Sequence, residues 1–139
     1  MIALDTNILA RFYVEDASDP EAVRQRPVAR KILETEGAIF IPVTVVLELE
    51  WVVRAFYGFS AKQFASVVQH LAGLPNVMLE DRAEVLTAAD LHSKGLDFAD
   101  ALHLSRSNHC DVVLTFDDRA FARRARRWVA TPRVEVPRR

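Results

Sequence analysis

Short apolar runs alternate with stretches of helical periodicity along the whole chain. The first run, Ile2-Ala3-Leu4, leads directly into Asp5-Thr6-Asn7, which predicts a short buried strand ending in polar side chains. Strands that alternate with helices favour a mainly parallel sheet. We therefore expect an α/β fold, a three-layer α/β/α sandwich around a mainly parallel central sheet. The other predicted strands cover residues 38–41, 76–79 and 111–115, and a short edge strand follows residue 131.

The segments between these strands carry residues that start and end helices. Asp19 followed by Pro20 is a favourable N-cap and first helical residue, so a helix begins here, and Gly37 ends it. Pro27 lies inside this helix and should kink or divide it, because proline has no backbone N–H. Further helices are predicted to start near residues 8 and 97 and to cover residues 43–57, 61–71, 82–93 and 119–127.

The composition fits one ordinary domain. The chain has 139 residues, of which 50% are hydrophobic, so we expect a single domain with one core over residues 1–139. No apolar run reaches the roughly 18 to 20 residues that span a bilayer, and the N-terminus lacks the basic and apolar regions of a signal peptide. We therefore expect a cytoplasmic protein. The single cysteine, Cys110, cannot form an internal disulfide.

Positive charge is concentrated near the C-terminus, although the formal net charge is only −1. Such a run is commonly a solvated helix face or a loose tail. The alternative is a phosphate-binding surface, because guanidinium groups match phosphate oxygens and raise affinity for nucleic acid. The candidates for nucleic-acid binding are Arg123, Arg124, Arg126 and Arg127.

Acidic residues follow two of the predicted strands. Asp5 follows the first, and Asp117 and Asp118 follow the strand at residues 111–115. Ligands bind at the carboxyl edge of open parallel sheets, so these acids are site candidates. Asp5 is equally suited to cap the next helix. One of Asp117 and Asp118 is expected to cap the helix at residues 119–127, so only one of them need face a site.

A third candidate lies inside the apolar helix predicted at residues 43–57. Glu48 is embedded among valine, leucine and tryptophan, and no Lys or Arg lies one turn away. A buried carboxylate is costly unless it is paired, so Glu48 needs a distant partner. Glu50 points elsewhere and can pair with Arg54, which favours a surface position for Glu50.

The fourth candidate lies at the helix that starts near residue 97. Asp97 is the natural N-cap of this helix. Asp100 occupies the third position of the first turn and shares a polar face with His103. Acids are favoured near a helix N-terminus, so a structural role for Asp100 competes with a functional one.

Four separated acids thus lack cationic neighbours: Asp5, Glu48, Asp100 and Asp117. Clustered carboxylates need protons or a cation, and hard oxygen donors without His or Cys suit Mg²⁺ or Mn²⁺. The chemistry they predict is metal-assisted hydrolysis of phosphodiesters. Attack by a metal-activated water would leave 5′-phosphate and 3′-hydroxyl ends.

These acidic segments resemble, in order, four motifs of the PIN-domain ribonucleases, and within that family the VapC-type toxins of bacterial toxin–antitoxin pairs. Each motif alone is weak, but four in order are a strong signal, and the resemblance covers essentially the whole chain. The matching segments are Leu4-Asp5-Thr6-Asn7, Thr44 through Glu48-Leu49, Asp97-Phe98-Ala99-Asp100-Ala101-Leu102-His103 and Leu114-Thr115-Phe116-Asp117.

The resemblance implies a PIN-like fold and a Mg²⁺- or Mn²⁺-dependent endoribonuclease. It implies that Asp5, Glu48, Asp100 and Asp117 are the catalytic acids, with Asp5 and Asp100 as the most direct metal ligands. Asp118 competes with Asp117 for the fourth position, and Asp117 is preferred because it directly follows Thr115-Phe116. Thr6, Asn7 and Thr115 would be supporting polar residues.

Two protein partners are expected. The resemblance implies a VapB-type antitoxin whose tail would obstruct the acidic site. A homodimer is expected because a small domain has difficulty burying so much aromatic surface alone. The aromatic residues concerned are Trp51, Phe56, Tyr57 and Phe59.

Two other functions are weaker explanations of the same pattern. A phosphotransfer domain or phosphatase usually has a second acid beside the first aspartate and a lysine after a later strand. Here Thr6 and Asn7 follow Asp5, and no lysine follows a strand. A catalytically silent binding module is the other alternative, and the presence of all four acids argues against it.

Overall fold

A computed structural model describes residues 1–138 and shows a mixed α/β architecture with parallel strands. The chain divides into two compact units, Met1–Arg82 and Ala83–Arg139. Each unit contains its own parallel sheet. The expectation of one domain over residues 1–139 stays a prediction. Along the described residues, no helix is both long and apolar enough to cross a membrane.

The first unit is built on a three-stranded parallel sheet. Strand β2 lies between β1 and β3, and Ile39 is the register partner of both Ile2 and Val77. The expected α/β fold with a parallel sheet is confirmed. The elements of this unit are β1 (Ile2–Ala3), α1 (Thr6–Tyr13), α2 (Pro20–Thr35), β2 (Ile39–Ile41), α3 (Val43–Tyr57), α4 (Ala61–Gly73) and β3 (Val77–Leu79).

The second unit contains a two-stranded parallel sheet, in which Val113 of β4 is the partner of Val134 of β5. The strands of residues 1–138 therefore form two hydrogen-bonded sheets where the sequence predicted one. Apolar runs identify strands but carry little information about which strands pair. The elements are α5 (Arg82–Ser93), α6 (Phe98–Arg106), β4 (Val112–Leu114), a π-helical turn (Asp118–Ala122), α7 (Arg123–Trp128) and β5 (Arg133–Glu135).

Apolar side chains fill the interior of each unit. In the first unit, Ile39 and Ile41 alternate on β2, and Leu49 and Val53 lie one turn apart on α3; all four are almost fully buried. This core holds in place the helix that carries Glu48. The second unit buries Val85, Leu96, Phe98, Leu104 and Phe121.

Capping side chains and a glycine mark the ends of several helices. Oδ1 of Asp19 accepts the N–H of Glu21 at 3.0 Å, as the sequence predicted. Ser60 and Gln63 form a reciprocal capping box at the start of α4. Gly58 ends α3 with φ 67°, a left-handed conformation that favours glycine.

Pro27 does not divide α2, so that part of the sequence prediction is wrong. The helix continues from Pro20 to Thr35 without a break. Pro27 and Val23, whose carbonyl loses its usual helical partner, are both exposed, so water can hydrogen-bond to that carbonyl. Ala29 and Leu33 are buried beyond the proline and hold the second half of the helix.

Candidate active site

A cavity of about 450 Å³ opens in the first unit around Asp5. The residues that follow β1, Asp5-Thr6-Asn7, line one part of it, and Glu48 enters from α3. The cavity therefore brings together two of the four candidate acids, although they are distant in sequence. The other lining residues are Ala10, Arg11, Asp16, Val52, Phe56 and Tyr57.

Asp5 is both the cap of α1 and a lining residue of the cavity. Its Oδ1 accepts the backbone N–H of Thr6 at 2.7 Å. A carboxylate offers about four lone-pair sites, so one cap bond leaves capacity for a cation. The capping role and the site role that the sequence left open for Asp5 are therefore compatible.

Glu48 is oriented by Thr6. The hydroxyl of Thr6, a buried residue, donates a hydrogen bond to Oε1 of Glu48. This contact supplies the distant partner that the sequence predicted. The predicted burial of Glu48 is wrong, because the face of α3 that carries Glu48 borders the cavity and is exposed.

The buried carboxylate of α3 is Glu50, for which the sequence favoured a surface position. Glu50 is only 4% exposed, on the same helix as the buried Val46, Leu49 and Val53. Its Oε2 accepts the Nε–H of Arg54 at 2.8 Å, so the predicted pair is confirmed. This ion pair offsets part of the cost of removing the Glu50 carboxylate from water.

Asp100 is a partly buried carboxyl group of the second unit. Asp97 caps α6 by accepting the N–H of Asp100 at 3.2 Å, as predicted. Partial burial raises the pKa of Asp100, the charges of Asp97 and Asp117 raise it further, and His103 lowers it. The ionised form of Asp100 is therefore poorly compensated, which is typical of a carboxylate placed to bind a cation.

Asp117, rather than Asp118, caps the helical segment that follows β4. Its Oδ1 accepts a backbone N–H of the first turn at 2.9 Å, and its own N–H donates to Oγ1 of Thr115 at 3.0 Å. Asp118 instead pairs with Arg123 at 2.9 Å. The charge of Asp118 is thus neutralised locally, whereas that of Asp117 acts on Asp100. The cap bond leaves lone pairs of the Asp117 carboxylate free, so Asp117 as the fourth acid stays a prediction.

The arginine-rich helix α7 exposes all four of its candidate side chains, Arg123, Arg124, Arg126 and Arg127. Arg123 and Arg126 pair with Asp118 at 2.9 and 3.9 Å, and Arg124 and Arg126 donate to backbone carbonyl oxygens at 3.1 Å. Arg127 lies over the ring of Trp128, 5.8 Å from its centroid. Each contact uses only some of the guanidinium donors, so a solvated face and a phosphate-binding surface both remain compatible with this arrangement.

The cavity also contains polar residues that the sequence did not identify as site residues. Arg11 lies one turn after Asn7 on α1, and this helical spacing was a usable signal. Asp16 and Tyr57 reach the cavity only through the folding of the chain. A hydrogen bond from the Ser18 hydroxyl lowers the pKa of Asp16, so this carboxylate is anionic at neutral pH.

The candidate acids provide the hard oxygen donors that Mg²⁺ and Mn²⁺ prefer. Asp5 lies with Glu48 in the cavity of the first unit, and Asp100 interacts electrostatically with Asp117 in the second. Over residues 1–138, no group of three or more His, Cys, Asp or Glu side chains is arranged to hold a metal ion. A metal site made of all four acids therefore stays a prediction.

Comparison with known protein families gives a match over most of the chain. The profile of the PIN domain family matches residues 2–127. This range includes the four candidate acids and the four candidate arginines. No curated protein shows a significant match to the chain.

Proposed function

Since the chain belongs to the PIN-domain family, we propose that it is a Mg²⁺- or Mn²⁺-dependent endoribonuclease and the toxin of a toxin–antitoxin pair. The PIN domain is a nuclease-type fold, and PIN domains are generally metal-dependent nucleases. For this chain the proposal adds that the substrate is RNA and that cleavage leaves 5′-phosphate and 3′-hydroxyl ends.

One observation carries the proposal: Asp5 and Glu48 share a cavity, and neither forms an ion pair with a Lys or Arg side chain within residues 1–138. Carboxylates that serve a fold are usually paired, whereas these two face an open cavity. The volume of about 450 Å³ lies in the range of small-ligand sites. This arrangement is expected of acids that bind a cation and a phosphate-containing substrate.

Asp100 supports the same conclusion from the second unit. Its raised pKa reflects partial burial next to two other carboxylates, an environment that opposes ionisation. Such an environment weakens a fold that has no metal ion and becomes favourable when a divalent cation is present.

The proposal gives each of the four acids a role. Asp5 and Asp100 would be the direct ligands of the cation. A bound Mg²⁺ or Mn²⁺ supplies an acidified water and stabilises negative charge on the phosphate and the leaving oxygen. Glu48 completes the set with its direction held by the Thr6 hydroxyl. Asp117 also belongs to this set. Its backbone N–H donates to the hydroxyl oxygen of Thr115, and this bond stabilises the turn that carries Asp117.

A VapB-type antitoxin and a second copy of the chain are the proposed protein partners. Support for the homodimer comes from α3, where Trp51 is 52% exposed and Phe56 is 68% exposed. The two rings lie edge to face with centroids 5.5 Å apart. Large exposed aromatic side chains are enriched in protein interfaces, so this surface suits a partner better than water.

The experiment is to mix the purified protein with an unstructured RNA and Mn²⁺, with and without EDTA. We expect cleavage only with free metal ion, and products with 5′-phosphate and 3′-hydroxyl ends. Asp5→Asn should abolish cleavage while keeping the helix cap, because asparagine caps as well as aspartate. Asp111→Asn, at an exposed acid outside the four, should leave cleavage unchanged.

Two results would count against the proposal in different ways. Products with 2′,3′-cyclic phosphate ends would reject the hydrolytic mechanism. Binding of RNA without cleavage in Mg²⁺ or Mn²⁺ would support a silent binding module on the same fold.

A further inference from the structure

The acidic cavity must accept a polyanion if its substrate is RNA. Asp5 and Glu48 repel the phosphates that flank the one to be cut, and a bound cation relieves this repulsion only near itself. A fixed positive charge on the cavity wall would offset the remaining repulsion between the acids and the flanking phosphates. Arg11 lines the same cavity as both acids.

The guanidinium group of Arg11 is held from two other helices. Its Nε–H donates to Oε1 of Gln25 on α2 at 2.9 Å. Its Nη1 lies 3.4 Å from the hydroxyl of Tyr57 on α3, and its Nη2 lies 3.6 Å from Oδ2 of Asp19. The first contact is strong and the other two are long, so N–H groups on both Nη atoms can still donate to a ligand.

Tyr57 links Arg11 to a carboxylate. Its hydroxyl accepts from Arg11 and donates to Oδ2 of Asp16, each at 3.4 Å. The Ser18 hydroxyl stabilises the anionic form of Asp16, so this acceptor is present at neutral pH. The hydroxyl of Tyr57 therefore links the guanidinium group of Arg11 to the carboxylate of Asp16, and all three residues line the cavity.

We propose that Arg11 binds an RNA phosphate that flanks the cleaved one, and that Tyr57 is a positioning residue for Arg11. The inference rests on the proposed function and adds a substrate-binding group to it. A planar guanidinium suits this task because its paired N–H donors match two phosphate oxygens at once. The side chain of Arg11 is 22% exposed, so it is accessible to a ligand in the cavity although most of it packs against the protein.

A purely structural role for Arg11 makes different predictions. In that case Arg11 only joins α1 to α2 and α3, and any substitution lowers stability without changing how RNA binding depends on salt. The dependence of affinity on salt counts phosphate contacts, and it is insensitive to a helix-joining role.

The first measurement is the binding of a fluorescein-labelled single-stranded oligouridylate in EDTA, where cleavage cannot occur, over a series of salt concentrations. Arg11→Ala should weaken binding about tenfold or more, as expected for a charged hydrogen bond. It should also reduce the slope of log affinity against log salt by about 0.7. Arg11→Lys keeps the charge, so it should retain the slope and recover part of the affinity.

Arg82→Ala is the matched control in the same unit. Arg82 is exposed and donates to the carbonyl oxygen of Ala72 at 3.3 Å, but it does not line the cavity. Its removal takes away the same charge and a similar local hydrogen bond. Affinity and slope should therefore match those of the wild type.

The second measurement is cleavage kinetics with Mn²⁺. A flanking phosphate contact is made equally in the ground and transition states, so Arg11→Ala should raise KM about tenfold with kcat nearly unchanged. Tyr57→Phe keeps the ring and the charge of Arg11, so it should raise KM less than Arg11→Ala does. It should leave the salt slope at the wild-type value.

The outcomes separate this inference from the proposed function. If the wild type cleaves RNA while Arg11→Ala has an unchanged salt slope and KM, Arg11 is not a phosphate-binding residue and the nuclease proposal stands. Equal losses of melting temperature in Arg11→Ala and Arg11→Lys, with an unchanged slope, would assign Arg11 the structural role. A wild type that neither binds nor cleaves RNA overturns both proposals.

Discussion

The hydroxyl of Thr6, at the start of α1, donates a hydrogen bond to the carboxylate of Glu48 on α3. Thr6 is buried and Glu48 is exposed. A side chain anchored in the core therefore sets the direction of an acid that faces the cavity. The hydrogen bond from the buried Thr6 thus favours one orientation of the Glu48 carboxylate.

Thr6→Val tests whether this orientation matters for activity. The substitution keeps the branched shape and removes the hydroxyl, so Glu48 loses its partner while the core stays filled. We expect kcat/KM for RNA cleavage to fall about 10- to 100-fold, as is usual when a hydrogen bond that orients a metal-site residue is removed. The melting temperature should change little.

Thr6→Ser is the control, because serine keeps the hydroxyl that bonds to Glu48. It should retain most of the cleavage activity despite losing a buried methyl group. A Thr6→Val enzyme as active as the wild type would show that Glu48 needs no fixed direction.

Asp100→Asn tests whether this acid is unfavourable in the metal-free fold. Folding raises the pKa of Asp100, so the protonated form of Asp100 is favoured more in the folded protein than in the unfolded chain. The stability that Asp100 contributes is then present below about pH 4 and is lost as the pH rises through the raised pKa. At neutral pH in EDTA the neutral asparagine should raise the melting temperature by a few degrees, on a scale of about 3 °C per kcal/mol. The difference from the wild type should shrink as the pH falls toward 4.

Added Mg²⁺ should reverse the order of stability. It should stabilise the wild type by about 1.4 kcal/mol at ten times the dissociation constant, and the variant much less. The position of Asp100 in the first turn of α6 opposes the gain in EDTA by about 0.3 to 1 kcal/mol. Asp111→Asn controls for loss of one negative charge. A lower melting temperature in EDTA, with equal stabilisation of both proteins by Mg²⁺, would make Asp100 a structural acid.

Arg127 and Arg123 should contribute unequally to RNA binding. Arg123 already pairs with Asp118 at 2.9 Å, whereas Arg127 lies over Trp128. Arg127→Ala should therefore reduce the salt slope of RNA binding by about 0.7, and Arg123→Ala by less. The quadruple alanine variant that also includes Arg124 and Arg126 should bind weakly. Wild-type binding and slope in the quadruple variant would identify α7 as an ordinary solvated helix.

Trp51 and Phe56 should lie in a dimer interface. We expect the wild type to be a dimer by light scattering at micromolar concentration, and the double variant Trp51→Ser, Phe56→Ser to be a monomer. Trp128→Ser removes an aromatic side chain of similar exposure from the second unit and should leave the dimer intact. A monomeric wild type at that concentration would contradict the prediction.

Local signals in the sequence were sufficient for most of the secondary structure. The caps Asp19, Ser60 and Asp97 act on backbone N–H groups two or three residues away, so their effect is readable from the sequence. The bounds of α3, Val43–Tyr57, were also predicted from adjacent residues, because Pro42 precedes the helix and Gly58 ends it. Pro27 was misjudged because the cost of a proline depends on whether water reaches the freed carbonyl.

The residue types of the candidate site were also readable from the sequence. Asp5 follows an apolar run, and Asp100 follows a helix cap by three residues, so both were identified as acids at element ends. The sequence favoured Asp117 over Asp118 only because Asp117 directly follows Thr115 and Phe116, and this choice stays a prediction. The structure shows which carboxylate caps the next turn and which pairs with Arg123.

Only the tertiary structure decided which face of α3 is buried. The apolar residues surround this helix so evenly that its sequence does not distinguish the exposed Glu48 from the buried Glu50. Thr6 is a partner of Glu48, and Tyr57 is one of the partners of Arg11, each more than 40 residues away. The sequence by itself determined the strands, the helices and the acids, because these depend on neighbours within a few residues. The partners and the burial depended on how α1, α2 and α3 pack, because burial and hydrogen bonding between helices arise only when distant parts of the chain meet.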